Sequence, residues 1–193
     1  MQFSLAPGDV VPRLRGRFGQ PYVYAEVCSS TQRLLGPEHA EGAVAVAEEQ
    51  TEGRGRLGRR WFAPRGTSIL CSVLLEPPVP QPRLPELTVV AGEATAEAIE
   101  HSTGLEPRIK LPNDVLLCEH KVAGILAEAR EGRVVLGIGV NVNVTAEDLP
   151  TGLDTPATSL LAELGRPVDR TKLLVALLAA LETHYDAWVE QRG

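Results

Sequence analysis

The sequence predicts an α+β fold, a mixed, mainly antiparallel sheet with helices packed on it. Three observations predict it. Short apolar, β-branched segments cluster in the middle of the chain. Two stretches with apolar residues at three-to-four spacing stand apart from them, one inserted among the strands and one at the end. Tight turns at Glu119-His120 and at Glu131-Gly132 join the last three strand-like runs.

Residues 1–20 hold Pro7, Gly8, Pro12, Gly16 and Gly19 beside Arg13, Arg15 and Arg17, and read as an irregular lead-in to one domain over residues 21–193. Tyr22 to Val27 alternates as a first strand. Ser29, Ser30 and Thr31 offer N-caps for a short helix through Gln32, Leu34 and Leu35, closed by Gly36 and Pro37. Ala43 to Ala47 is a buried strand, and Thr67 to Leu75 is another. The prolines between Glu76 and Pro85 force a surface connection. Leu87, Val90, Ala94 and Ala98 mark a helix over Glu86 to His101. Arg108 to Leu111, Val115 to Cys118, Val122 to Ala129 and Val134 to Val144 follow as strands. The chain ends in a helix that carries Leu174, Leu177, Leu178, Leu181, Tyr185 and Trp188 on one face, with Asp169 as its cap.

At 193 residues the chain is long enough for a substantial core, which must rest on aliphatic side chains because only 4% of residues are aromatic. A formal net charge of -6 opposes broad binding to nucleic acid or to an anionic membrane. Cys28, Cys71 and Cys118 are far apart, with no spacing that suggests zinc, and read as packing residues. No signal peptide and no apolar run of membrane-spanning length is evident, so a cytoplasmic location is expected.

Against that acidic background, Gln50 to Trp61 (Gln-Thr-Glu-Gly-Arg-Gly-Arg-Leu-Gly-Arg-Arg-Trp) alternates Gly53, Gly55 and Gly58 with Arg54, Arg56, Arg59 and Arg60. Glycine lets backbone N–H groups approach a ligand, and arginine supplies forked, permanent cations. The stretch reads as a flexible loop that closes over a small anion. In Lys110-Leu-Pro-Asn-Asp114, Pro112 stiffens a turn from which Asn113 and Asp114 project. They could hold Mg²⁺ with ATP phosphates, or form an ordinary Asn-Asp turn. In Lys121-Val-Ala-Gly-Ile-Leu-Ala-Glu128, Lys121 stands at the mouth of an otherwise apolar strand, where it is a cleft cation or an exposed hairpin lysine. Gly124 within that strand suits close approach to its backbone. Gly137 and Gly139 leave one strand face bare, room for a flat ligand, with Asn141 on the same face offering its amide.

Together, Gly53-Arg-Gly-Arg-Leu-Gly-Arg-Arg-Trp61, Lys110-Leu-Pro-Asn-Asp114, Lys121-Val-Ala-Gly-Ile-Leu126 and Gly137-Ile-Gly-Val-Asn141 resemble the biotin protein ligases, in family order, from about Tyr22 to the last helix. The resemblance implies a fold like that of class II aminoacyl-tRNA synthetases. It also implies a two-step reaction. Biotin and ATP give biotinyl-5′-AMP, and a lysine of a biotin carboxyl carrier protein then takes the biotin.

By the same resemblance, Lys121 and Arg56 are catalytic. Ser30, Thr31, Gln32, Gln50, Gly53, Arg54, Gly55, Arg56, Lys121, Gly124 and Gly137 hold biotin. Arg54, Arg56, Arg59, Trp61, Asn113, Lys121 and Asn141 hold ATP, and Asp114 is the Mg²⁺ ligand. Leu111 replaces a usual tryptophan, and Ser29 and Gln32 replace a usual Asp and Asn. The sequence shows no helix-turn-helix before Tyr22 and runs to Gly193, so neither DNA binding nor the family's usual small C-terminal domain is expected. The resemblance also allows a homodimer through sheet edges. Two other readings use the same residues: a lipoate or octanoate ligase or transferase of the same fold, and a non-catalytic biotin-binding module.

Overall fold

The computed structural model describes residues 4–130 and 132–191. Its sheet has the strand order β1-β2-β3-β7-β6-β5-β4. The strands are β1 (Tyr22–Cys28), β2 (Val44–Gln50), β3 (Ser68–Leu75), β4 (Arg108–Lys110), β5 (Asp114–Leu117), β6 (His120–Arg130) and β7 (Arg133–Asn141). β1 pairs with β2 in parallel, and every other neighbouring pair is antiparallel. The mixed, mainly antiparallel sheet is therefore as expected.

Strand alternation divides the sheet into two faces. Ile69, Cys71 and Val73 of β3 and Leu136, Ile138 and Val140 of β7 turn to one face, into the main core. That face is covered by α2 (Leu87–Thr103) and α4 (Arg170–Glu190), which pack on each other. Gly104 ends α2 with φ 77°, a left-handed cap that a residue without Cβ adopts freely. Asp169 caps α4 as expected, accepting from the N–H groups of Thr171 at 3.0 Å and Lys172 at 3.1 Å. The opposite face carries only a small cluster of Leu35, Ala43, Ala45, Leu74 and Val135 at one end. Elsewhere on that face Gly124, Gly137 and Gly139 alternate with Leu70, Leu126 and polar residues, and there the site forms.

Several local expectations are corrected. Within the described part of the lead-in, Pro7–Val10 forms a helical turn, α1, a 3-10 turn follows over Val11–Arg13, and Leu5, Val10 and Phe18 are buried in the main core. Arg17 fastens it further through Glu182 and Asp186 of α4. The helix expected after Ser29 is only a 3-10 turn, Thr31–Arg33, and Ser30 makes no side-chain cap to it. A short α3 (Leu160–Leu164), capped by Ser159, lies where no element was expected. β7 stops at Asn141, short of Val144. The β5–β6 turn centres on Cys118 (φ 46°) and Glu119 (φ 68°), with His120 already in strand. Cys118 is thus exposed and no packing residue. Of the turn expected at Glu131-Gly132, Glu131 lies outside the described residues.

Arg170, 1% exposed, opens α4 and pairs with Glu48 of β2 at 2.8 Å. It also donates to the Ser68 carbonyl at 3.0 Å, and Glu48 accepts the Leu5 N–H at 3.0 Å. A buried charge is tolerable when its partner and hydrogen bonds are built in, as they are here.

Candidate active site

The arginine-glycine stretch, expected as a flexible loop, is a short hairpin. Gly55 N–H donates to the Arg59 carbonyl at 2.7 Å, Trp61 N–H donates to Gly53 at 2.9 Å, and Arg54 bridges Arg60 between them. Leu57 (φ 57°) and Gly58 (φ 75°) turn the tip. A Cβ on Gly53 would run into the Trp61 carbonyl oxygen, so glycine is required there by the return strand.

The hairpin folds back so that Trp61 lies on the bare face of the sheet. Gly124 and Gly139 face each other across β6 and β7. A Cβ on Gly139 would stand 2.6 Å from Trp61 Cε2, and one on Gly124 would stand 2.9 Å from Cζ3. The flat group on these glycines is thus the protein's own indole. Gly137 is covered by Gln32, whose side chain would lie 3.3 Å from a Cβ there. Gln32 Nε2 donates to the carbonyls of Leu126 at 3.1 Å and Val135 at 3.2 Å, so its amide fastens the 3-10 turn to the sheet.

Beside it, Gln50 Oε1 accepts from Thr31 N–H at 2.8 Å and Thr31 Oγ1 at 3.1 Å. Ser72, fully buried on β3, lies 2.8 Å from the same Thr31 hydroxyl. Since that hydroxyl has one proton to give, Ser72 is the donor whenever Thr31 serves Gln50. Ser30, Thr31, Gln32 and Gln50 thus give this end of the cleft uncharged hydrogen-bonding groups.

The other end is cationic. Lys121 pairs with Asp114 at 2.7 Å, across the β5–β6 hairpin, with its ammonium 5.6 Å from the Trp61 ring. A strap over residues 150–158 closes this end. Lys121 N–H donates to the Pro156 carbonyl at 2.7 Å, and Thr158 N–H donates to the Lys121 carbonyl at 2.9 Å. Lys110 Nζ donates to Thr155 Oγ1 at 2.8 Å, and Arg59 meets Asp154 at 3.0 Å. Asn141, 5% exposed, donates its amide to the Thr158 carbonyl at 3.0 Å, so it anchors the strap. Asn113 is held by the Ile125 backbone and accepts from Arg56 at 3.3 Å.

These elements enclose a cleft of about 690 Å³. Ser30, Thr31, Gln32, Gln50, Arg54, Gly55, Arg56, Arg59, Trp61, Asn113, Asp114, Lys121, Gly124, Gly137 and Asn141 all line it, so the expected residues converge from distant parts of the chain. Gly53 is the exception, buried behind the wall. Arg54, Arg56, Arg59, Arg60, Lys110 and Lys121 face the cleft against the carboxylates Asp114 and Asp154, a strongly positive field in an acidic chain. Cys71 also borders it, but burial pushes its thiol up to about 12, far from a reactive thiolate. Among the described residues no group of three or more His, Cys, Asp or Glu side chains could hold a metal.

Ser72, Glu128, Asp154 and Thr158 were not expected at the site. Each serves through contacts to residues far away in sequence, and only Glu128, the last residue of the Lys121–Glu128 segment, sits in a motif. Only the Thr155-Pro156 pair, an extended dipeptide after Gly152, hinted that the strap is ordered.

The sequence model of the biotin/lipoate A/B protein ligase family matches residues 24–144. A bifunctional ligase/repressor BirA of Bacillus subtilis is 39% identical over 176 residues, 86% of this chain and 54% of that protein. A biotin–[acetyl-CoA-carboxylase] ligase of Mycobacterium tuberculosis is 39% identical over 153 residues, 77% of this chain and 56% of that protein. The chain spans about half the length of these relatives. Among solved structures, the biotin protein ligase of Aquifex aeolicus in complex with biotin and ATP superposes with a TM-score of 0.80 at 33% identity, over 88% of this chain and 72% of that one. With residues 24–144, more than half its length, matched by the family model, this chain belongs to the biotin/lipoate A/B protein ligase family.

Proposed function

We propose that this chain is a biotin ligase, which activates biotin as biotinyl-5′-AMP and transfers it to a lysine of a biotin carboxyl carrier protein. The observation that carries the reading is the polarity of one cleft, uncharged hydrogen-bonding groups at one end and a cluster of cations at the other. Biotin has the same polarity: a neutral ureido ring that both donates and accepts, and a carboxylate at the far end of its chain. The relatives named for biotin, and a structural neighbour holding biotin and ATP, support that choice.

In the first step a biotin carboxylate oxygen attacks the α-phosphorus of ATP, and the bond to pyrophosphate breaks with its electron pair. Two anions must meet, so fixed positive charge is what the site has to supply. Lys121, held by Asp114 beside the Trp61 ring, is the cation nearest the glycine floor. Arg56 and Arg59, which flank the hairpin tip, would meet phosphate oxygens and shield the anhydride from water. In the second step the carrier lysine's neutral amine attacks the acyl carbon, AMP departs, and the amine loses its proton.

Mg²⁺ accompanying ATP would offset phosphate charge. The fit to the protein is partial: Asp114, the one residue that would hold it, is a single carboxylate already paired with Lys121. A protein partner suits the mouth of the cleft. Leu57, Phe62, Leu111 and Leu153 are exposed apolar side chains that all line it.

The test is pyrophosphate release, which should require both biotin and ATP, followed by mass spectrometry of a carrier domain gaining one biotin on one lysine. Biotin binding without pyrophosphate release would make the chain a binder. Lipoate replacing biotin at equal rate would assign it to the other branch of the family.

A further inference from the structure

Arg54 is a loop arginine that lines the cleft, yet its guanidinium is already engaged. It pairs with Glu128 Oε1 at 2.7 Å. The other oxygen of Glu128 takes Arg130 Nη2 at 2.8 Å, and Arg130 Nη1 reaches the Gln32 carbonyl at 3.4 Å. Glu128 lies on the same face of β6 as Gly124 and Leu126 but outside the cleft wall. One carboxylate thus joins three segments: the base of the hairpin, the end of β6 and the 3-10 turn that carries Thr31 and Gln32.

We propose that Glu128 is a positioning residue for biotin activation, acting through Arg54. This rests on the biotin-ligase reading above. Arg54 bridges Arg60, and Gly53 holds Trp61, so a fixed Arg54 also sets where the indole lies on Gly124 and Gly139. The hairpin then has a fixed base and an exchangeable tip. At the tip, Arg59 and Asp154 are 69% and 84% exposed, and such a pair is readily exchanged for ligand oxygens. At the base, Glu128 is 19% exposed and has an arginine on each oxygen, so it holds Arg54 before any ligand arrives.

The experiment combines kinetics with proteolysis of the full chain. Glu128→Gln keeps the shape and removes the charge. It should raise the biotin KM about tenfold while kcat for pyrophosphate release moves less than about twofold. It should also speed tryptic cleavage at the hairpin arginines by a similar factor, a readout that needs no activity. Adding Glu128→Gln to Arg54→Gln should cost nothing further. Unchanged cleavage and KM overturn the proposal, as do penalties that multiply in the double variant. A lower Tm with an unchanged KM makes Glu128 merely structural. A wild-type chain that releases no pyrophosphate sinks the biotin-ligase reading instead, and the cleavage rates of the single and double variants still judge whether Glu128 holds Arg54.

Discussion

Lys121 owes its position to three separate contacts. Asp114 pairs with its ammonium, the strap clips its backbone on both sides, and the Trp61 ring stands beside it. Removing the charge while keeping the stem, Lys121→Met, should lower the rate of pyrophosphate release by about 10²–10³ with biotin binding affected far less, as for loss of one preorganised electrostatic group. Single-turnover formation of biotinyl-5′-AMP measures it. The glycine floor makes a graded prediction. Gly139→Ala drives a methyl against the indole, whereas the equivalent methyl at Gly137 meets Gln32 at 3.3 Å, where a slight shift suffices. Gly139→Ala should therefore weaken adenylate formation more than Gly137→Ala, at a cost of about 1–3 kcal/mol for the displaced ring. Tryptophan emission reports the displacement directly, because the other tryptophan, Trp188, is buried in the helical layer.

Among the elements, α4 shows how local signals and tertiary contacts cooperate. Its stripe of Leu174, Leu177, Leu178, Leu181, Tyr185 and Trp188 is buried throughout, as the spacing required. Asp169→Ala removes the acceptor for two N–H groups and should cost about 1 kcal/mol, lowering Tm by roughly 2–4 °C. The lead-in depends on the same helix through Arg17. The Arg17 hydrogen bond, aided by its charge, holds the Asp186 carboxyl below its ordinary value of 3.8. A depressed carboxyl contributes stability that is present above its unfolded value and lost as pH falls through the folded one. Acid should therefore loosen this clasp below about pH 4, and Asp186→Asn should flatten the fall in urea midpoint between about pH 5 and about pH 2. Strands were legible wherever apolar residues ran together, as in β3 and β7. The N-terminal turn, α3 and the strap were not, because Pro7–Val10, Leu160–Leu164 and residues 150–158 are too short to show a period and are ordered by what they dock against.

At the scale of the whole molecule, the sheet separates stability from chemistry. One face is sealed by α2 and α4, and the Arg170–Glu48 pair joins α4 to β2 and, through Leu5, to the lead-in. Arg170→Ala leaves Glu48 buried without its partner and should cost about 3–5 kcal/mol, measured by urea unfolding. Replacing both, Arg170→Met with Glu48→Leu, should recover much of that loss. On the opposite face the missing side chains of Gly124, Gly137 and Gly139 leave room for Trp61 and Gln32 to lie on the sheet, and the cleft forms around them.

The sequence by itself determined the secondary-structure class, the helical stripes and the motifs that carry the chemistry. Those rest on properties of neighbouring residues: period, capping, the shape of glycine and the charge of arginine. It also marked the cations that come to line the cleft, since Arg54, Arg56 and Arg59 share one short stretch and Lys121 stands at the mouth of a recognisable strand. Only the tertiary structure decided what those groups touch. It gave the glycine floor to Trp61, spent the amides of Gln32 and Asn141 on the backbone, and paired Arg54 with Glu128 and Lys121 with Asp114. A side chain's partner depends on which distant strand lies beside it, and strand order and register are set by the packing of the whole sheet.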